Sequence, residues 1–282
     1  MRVVSKIIAC VQIARPVNIC ITFAAVIIAG YICGNSLHIP GVIWSAAAAT
    51  ALVNYAGNII NDIFDIKTDE LNNKKNRVLQ KKSLSVAEAY GIYVIVSVCA
   101  FIISATVNVY ALTLVVFATL ALFLYSWYLK KKLFWGNVLV ALLTALAFIM
   151  GGIAVGNIQG TFVPAVFAFL INLVRELVKD MQDVEGDKKS GFNTMPVRYG
   201  INNVKIIVMF NIFIIIAFTL FVWQLKLYKM PFSLITLLLV DPVFVFILRY
   251  LFINNLNRNL NKISLLLKLN MVLGLCAIVA GV

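Results

Sequence analysis

Two stretches of the chain concentrate side chains that handle a charged, oxygen-rich ligand. Asn54, Asn58, Asn61, Asp62, Asp65 and Asp69 recur at steps of three and four residues, so on a helix they share one face and run on past its end. Much further along, Asn172, Glu176, Lys179, Asp180, Asp183 and Asp187 repeat the pattern. Of the 11 acidic residues, all but Glu88 and Asp241 fall in these stretches. Carboxylate and carboxamide oxygens are hard donors, and no thiol or imidazole stands near them. The matching metal is Mg2+, which keeps several waters and takes its remaining ligands from phosphate oxygens. The implied ligand is a diphosphate held through Mg2+ between two carboxylate clusters. His38 is the sole histidine, which excludes a histidine metal site or a histidine-dependent triad.

The neighbouring cations fit the same chemistry. Arg77, Lys130, Lys131, Lys179 and Arg198 are candidates to complete the anion site and to neutralise charge that builds on a departing diphosphate. Their competing role is topological, and for Lys131, Lys132, Lys188 and Lys189 that role is the better reading. Lys179 lies inside the acidic ladder and reads as part of the site. Asn54, Asn58 and Asn172 compete in the same way with interhelical hydrogen bonding. Asn58 and Asn61 stand evenly between that and contact with a headgroup.

The elements that carry these residues are transmembrane helices. Hydrophobic residues make up 62% of the chain and charged residues 12%, against roughly a quarter charged in soluble domains. The apolar runs are continuous rather than alternating, so an outer-membrane barrel is not expected. Spans of about 20 residues read as nine: 17–33, 42–60, 86–107, 110–129, 135–155, one from 162, 204–225, 231–251 and 263–282. Residues 1–16, with Arg2, Lys6 and Arg15, read as an interfacial amphipathic helix rather than a signal peptide. Two long polar connections, 61–85 and 183–203, follow the acidic stretches, and Gly151, Gly152 and Gly156 permit close packing or a turn.

With the N-terminus inside, all of the 24 basic residues except Lys226, Lys229 and Lys268 lie at inner ends or in inner connections. This places the N-terminus and both acidic stretches on the cytoplasmic side of a cell membrane. It also explains the net charge of +13 without nucleic acid as a partner. Trp44, Trp127, Trp135 and Trp223 fall near span ends, as interfacial tryptophans do. The five scattered cysteines read as small core hydrophobes. Residues 1–282 read as one domain, with 42–129 and 162–251 as two copies of one unit. A cation transporter would spread ionisable groups through the membrane depth; here only Asp241 departs from one side.

The sequence resembles the UbiA-type intramembrane prenyltransferases. Asn61-Asp62-Ile-Phe-Asp65-Ile-Lys-Thr-Asp69 is similar to their NDxxDxxxD signature, and Lys179-Asp180-Met-Gln-Asp183-Val-Glu-Gly186-Asp187 to KDxxDxxGD. Arg15-Pro16-Val17-Asn18 resembles the RPxN start, and Tyr125 to Lys130 the aromatic and basic patch after the fourth span. Where the family has NRP after its first motif, this chain has Asn76-Arg77-Val78. The run Arg175-Glu176-Leu-Val-Lys179-Asp180, with Glu176 where many quinone-pathway members have an aromatic residue, resembles the branch that makes geranylgeranylglyceryl phosphate ethers.

The resemblance implies an all-α bundle of nine spans with two Asp-rich cytoplasmic loops. It also implies Mg2+-dependent transfer of a prenyl group, of geranylgeranyl type, from its diphosphate to a lipophilic acceptor. The acceptor it favours is the hydroxyl of geranylgeranylglyceryl phosphate; an aromatic quinone precursor is the alternative. Asp62, Asp65 and Asp69 would hold one Mg2+, and Asp183 and Asp187, supported by Asp180, the other. Asn18, Asn58, Asn61, Arg77, Tyr125, Lys130, Lys179 and Arg198 would contact substrate. Tyr125, Phe148 and Met150 would shelter an allylic cation.

Overall fold

The computed structural model describes residues 2–34, 40–71, 76–253 and 256–282; His38, Lys74 and Lys75 lie outside them. It is helical throughout: α1 Arg2–Ala14, α2 Pro16–Gly34, α3 Gly41–Phe64, α4 Ile66–Leu71, α5 Val86–Val107, α6 Val109–Trp127, α7 Trp135–Ala154, α8 Phe162–Lys189, α9 Met195–Tyr199, α10 Ile201–Gln224, α11 Met230–Ile235, α12 Asp241–Phe252 and α13 Leu256–Gly281. A π-turn, Thr236–Val240, joins α11 to α12 into one long element. The only strands among the described residues are the two-residue β1 (Lys132–Leu133) and β2 (Asn193–Thr194). They pair in parallel and tie the connection after α6 to the one after α8.

Among the described residues, eight helical segments are long and apolar enough to cross a membrane. The expected second span is the exception. α3 has 24 residues, the length of a span, but its asparagine ladder and alanine run lower its hydropathy. This helix nonetheless sits at the centre of the first half, packed against α1, α2, α5, α6 and α7. Its alanines explain how: Ala46, Ala47 and Ala49 have no exposed surface, and small side chains let helices approach closely where lipid supplies no hydrophobic drive. Around α8, α10, α12 and α13 a second core gathers larger side chains, including Leu177, Ile212, Phe244 and Ile247.

The bundle is apolar outside as well as inside. Val94, Ile95, Val98 and Ile102 of α5 face outward, a pattern that is stable only where the solvent is lipid. The same logic corrects the expectation for the cysteines: Cys33 is buried, but Cys20, Cys99 and Cys276 are exposed, because a lipid-facing surface accepts a small hydrophobe as readily as a core does. Trp44, Trp127, Trp135 and Trp223 are each about half exposed or more, at helix ends. On α1, Val4, Ile7, Ile8 and Val11 form an outward apolar stripe while Ala9 and Ile13 are buried, as an interfacial helix requires.

Two local features settle how α7 turns and packs. A Cβ on Gly151 would lie 2.5 Å from the Val26 carbonyl oxygen and 2.6 Å from the Ala29 Cβ of α2. Gly156, just past the helix, has φ +72°, a left-handed conformation that favours glycine. Each acidic stretch is more helical than expected. The first continues through α4 after a break at Asp65, and α8 runs on to Lys189, where a loop from Asp183 was expected. The polar face of α8 packs against α7, α9 and β2, and this tertiary support extends the helix beyond its apolar run.

Candidate active site

Every carboxylate of the first ladder is buried against a cation brought from elsewhere. Asp62, Asp65 and Asp69 are each 5% exposed or less, and a buried carboxylate is costly unless paired. Asp62 pairs with Arg15, at the α1–α2 junction, and with Arg77, whose Nη1 lies 3.4 Å away. The Arg77 Nε lies 3.6 Å from Asp69. Asp65 pairs with Lys130, in the turn after α6, and accepts a hydrogen bond from Asn61 Nδ2 at 2.8 Å. Burial by itself pulls the Lys130 ammonium towards losing its proton. Asp65, with Asp69 and Asp183 further off, outweighs that and holds it above the ordinary lysine value.

Val78 explains how Arg77 gets there. The position occupied by proline in the resembling family is 4% exposed and packs with Ala9, Ile13, Ile59, Ile60 and Ile63. Burial of Val78 and Leu79 anchors the turn, and Ser83 N–H closes it on the Val78 carbonyl at 3.2 Å. The adjacent arginine is thereby aimed at Asp62 and Asp69 without a proline.

On α8, Asp180 accepts from Asn137 Nδ2 of α7 at 2.8 Å, and Asp187 from Thr194 Oγ1 of β2 at 3.2 Å. Glu176 pairs with Lys179 at 3.1 Å, and Asp183 is half-buried. α4 packs on α8, which brings the two acidic stretches to the same end of the bundle. Among the described residues, no three acidic, histidine or cysteine side chains converge on one point. The carboxylates instead form two banks.

Beneath them lies a cavity of about 260 Å³ among α2, α3, α6, α7, α8 and α13. Its walls are largely apolar and include Tyr125, Phe148 and Met150, while Asn18, Asn58, Asn61 and Lys179 line its polar part. Asn54 and Asn58 also hold helices together: Asn54 Nδ2 donates to Thr22 Oγ1 of α2 at 2.5 Å, and Asn58 Nδ2 to the Ala14 carbonyl of α1 at 2.9 Å. Asn172 donates to its own helix at Ala168. Arg198 is not brought to the cavity. It is exposed on α9, with its guanidinium 5.5 Å from the centre of the Tyr199 ring.

Sequence reasoning had not placed Arg15, Arg175, Asn137, Thr194 or Lys268 at the site. For Arg15 there was a signal, since it opens the Arg-Pro-Val-Asn run; its φ of +54° marks the α1–α2 corner that delivers it to Asp62. Arg175 directly precedes Glu176 of the second ladder, and the others sit on helices or a strand with no local motif.

Residues 21–272 match the model of the UbiA prenyltransferase family. The chain is 30% identical over 276 residues to digeranylgeranylglyceryl phosphate synthase of Methanosphaera stadtmanae, covering 96% of this chain and 98% of that one. Its fold is similar to a solved structure of digeranylgeranylglyceryl phosphate synthase, with TM-score 0.76, 28% identity and 98% of each chain covered. It also shares its fold with a UbiA homologue from Archaeoglobus fulgidus bound to GPP and Mg2+, with TM-score 0.66, 17% identity, and 96% of this chain and 99% of that one covered. Acidic banks at one end of an apolar helical bundle, and a family match across most of its length, lead to one conclusion: the chain is a multi-pass membrane protein that belongs to the UbiA prenyltransferase family.

Proposed function

We propose that the protein transfers a geranylgeranyl group from its diphosphate to the hydroxyl of geranylgeranylglyceryl phosphate, a step of ether-lipid synthesis, with Mg2+ as cofactor. The observation that carries the reading is the stacking of two carboxylate banks over an apolar cavity, at the end where Lys130, Arg77 and Lys179 also gather. The relative from Methanosphaera stadtmanae, named for this product, supports the choice of acceptor.

The donors fit Mg2+: all are oxygens, and a magnesium ion needs only one or two protein carboxylates when phosphate and water complete its shell. Asp62, Asp65 and Asp69 would hold one ion, and Asp183 and Asp187, with Asp180 in support, the other. Bound there, Mg2+ supplies charge neutralisation for a departing diphosphate. The chain's own residues do the rest. The apolar walls hold the prenyl tail, and Lys130, Arg77 and Lys179 receive the negative charge that moves onto the leaving group as the bond from allylic carbon to oxygen breaks. Tyr125, Phe148 and Met150 keep water from the cationic carbon, and the Tyr125 ring offers it a π face. The acceptor hydroxyl oxygen forms the new ether bond and releases its proton at the polar end. Asn18, Asn58 and Asn61, which line the polar part of the cavity, are proposed to contact the headgroups.

We place the N-terminus and the active site on the cytoplasmic side of the cell membrane, in a bundle of nine spans that counts α3. Residues 1–282 form one domain in this reading, built from two like halves, 42–129 and 162–251. Membranes containing the protein, given labelled geranylgeranyl diphosphate, Mg2+ and geranylgeranylglyceryl phosphate, are expected to form a diether lipid. Chelation of Mg2+ should stop turnover, and its return should restore it. Labelled product with 4-hydroxybenzoate alone would overturn the acceptor assignment.

A further inference from the structure

A second pocket, of about 220 Å³, adjoins the cavity between the α1–α2 corner, α8 and α13. Its charge is one-sided. Arg15, Arg77, Arg175, Lys179 and Lys268 line it, and no carboxylate does. Neutral donors are present in Asn18 and Ser264. Three of the cations have anionic partners elsewhere in the site: Arg15 and Arg77 with Asp62, and Lys179 with Glu176. The other two do not. Among the described residues, Arg175 bonds only to the Asn172 carboxamide, at 3.3 Å, and Lys268 has no carboxylate within ion-pair distance. In addition, the Arg15 Nε is buried with no acceptor among the described residues, a state that normally costs free energy unless a ligand relieves it.

Gathering like charges in a half-buried pocket is unfavourable without an anion between them. The absence of carboxylates from the lining makes this a site for direct contact with phosphate oxygens, which guanidinium forks and ammonium groups recognise without a metal. Its position selects which phosphate. Arg15, Asn18, Arg175, Lys179 and Lys268 line both this pocket and the apolar cavity, so an anion here lies at the cavity mouth, on the α13 side of α8. The pocket meets the first carboxylate bank at Asp62, which Arg15 and Arg77 hold, so a diphosphate at the banks and an anion in this pocket would lie side by side, with Arg77 and Lys179 between them and Arg175 and Lys268 on the far side.

We infer that this pocket is the subsite for the phosphate monoester of the lipid acceptor, and that Arg175 and Lys268 set the preference for an acceptor carrying a phosphate. The inference rests on the proposed acceptor class and deepens it. In a monoalkyl glyceryl phosphate the free hydroxyl is only a few bonds from the phosphate. Anchoring that phosphate beside the cavity holds the hydroxyl at its mouth, where the allylic carbon is exposed.

The test separates binding from turnover. Purified protein in detergent, with EDTA present, is titrated with geranylgeranylglyceryl phosphate and with the dephosphorylated alcohol, geranylgeranylglycerol. The expected result is metal-independent binding of the phosphate form, weakened about tenfold or more by Lys268→Gln or Arg175→Gln, the scale of one lost charged hydrogen bond. Arg175→Lys should recover part of it. In turnover, the same variants should raise KM for the phosphorylated acceptor, leave KM for geranylgeranyl diphosphate unchanged, and narrow the preference over the alcohol. Unchanged lipid binding in both glutamine variants would overturn the inference, as would a rise confined to the KM of the diphosphate. Tighter binding of inorganic phosphate than of the lipid would also overturn it, by making the pocket a free-phosphate site. A protein that binds the phosphate lipid through Lys268 but does not prenylate it would remove the proposed activity and leave the subsite standing.

Discussion

Asp62 is held by two arginines, Arg15 and Arg77, delivered by separate connections, and this shows how its charge is managed. Buried carboxylates in an apolar bundle persist because Arg15, Arg77 and Lys130 reach them from three separate connections. Substrate and metal would therefore rearrange charges already assembled, rather than bring charge into lipid. Asp65→Asn and Asp183→Asn are expected to leave a folded, membrane-inserted protein whose diphosphate release falls by about 10² to 10³, the usual cost of losing one preorganised electrostatic group. Full release in either variant would remove that side chain from the mechanism. Lys130→Met should lower kcat by a similar factor while Lys130→Arg retains more, measured with saturating Mg2+.

Helix termini do most of the positioning. α3 carries Asn61 and Asp62 at its end, breaks at Asp65, and resumes as α4 to present Asp69; α8 presents its carboxylates without a break. The two banks are thus built differently, one on a bent element and one on a straight one. α5 starts beside the first bank with a capping box, in which Ser85 and Glu88 satisfy each other's backbone N–H groups, and this ends the polar connection cleanly. The α2–α7 contact fixes the cavity floor. Because a Cβ on Gly151 would overlap the α2 backbone at Val26, Gly151→Ala should destabilise the protein by about 1–3 kcal/mol, read as a lower unfolding temperature in detergent. An unchanged temperature would mean that α7 can move away from α2.

Across the whole molecule, two cores of unlike texture meet at the cavity: an alanine-rich one centred on α3 and a bulkier one around α8, α10, α12 and α13. Close approach on one side and larger side chains on the other leave the space between them open. Orientation is a property at this scale and can be measured there. A cysteine in place of Lys229 is expected to react with an impermeant thiol reagent in intact cells, and one in place of Lys81 only after permeabilisation. The reverse pattern would invert the proposed topology.

Apolar runs were enough to locate the eight membrane-length helices among the described residues to within a few residues, because a bilayer imposes length and continuity on any helix that crosses it. The carboxylate ladders were equally legible, since helical spacing and the scarcity of acid elsewhere make them stand out. Folding alone decided what these residues face. Arg15 reaches Asp62 through a turn, Lys130 reaches Asp65 from another connection, and Arg175 and Lys268 share a pocket although they are far apart in the chain. Arg198, a candidate by its charge alone, is exposed on α9 and outside the cavity lining. Local spacing specifies which face of a helix a side chain occupies; only packing specifies the partner opposite, because that depends on distant segments meeting at one depth.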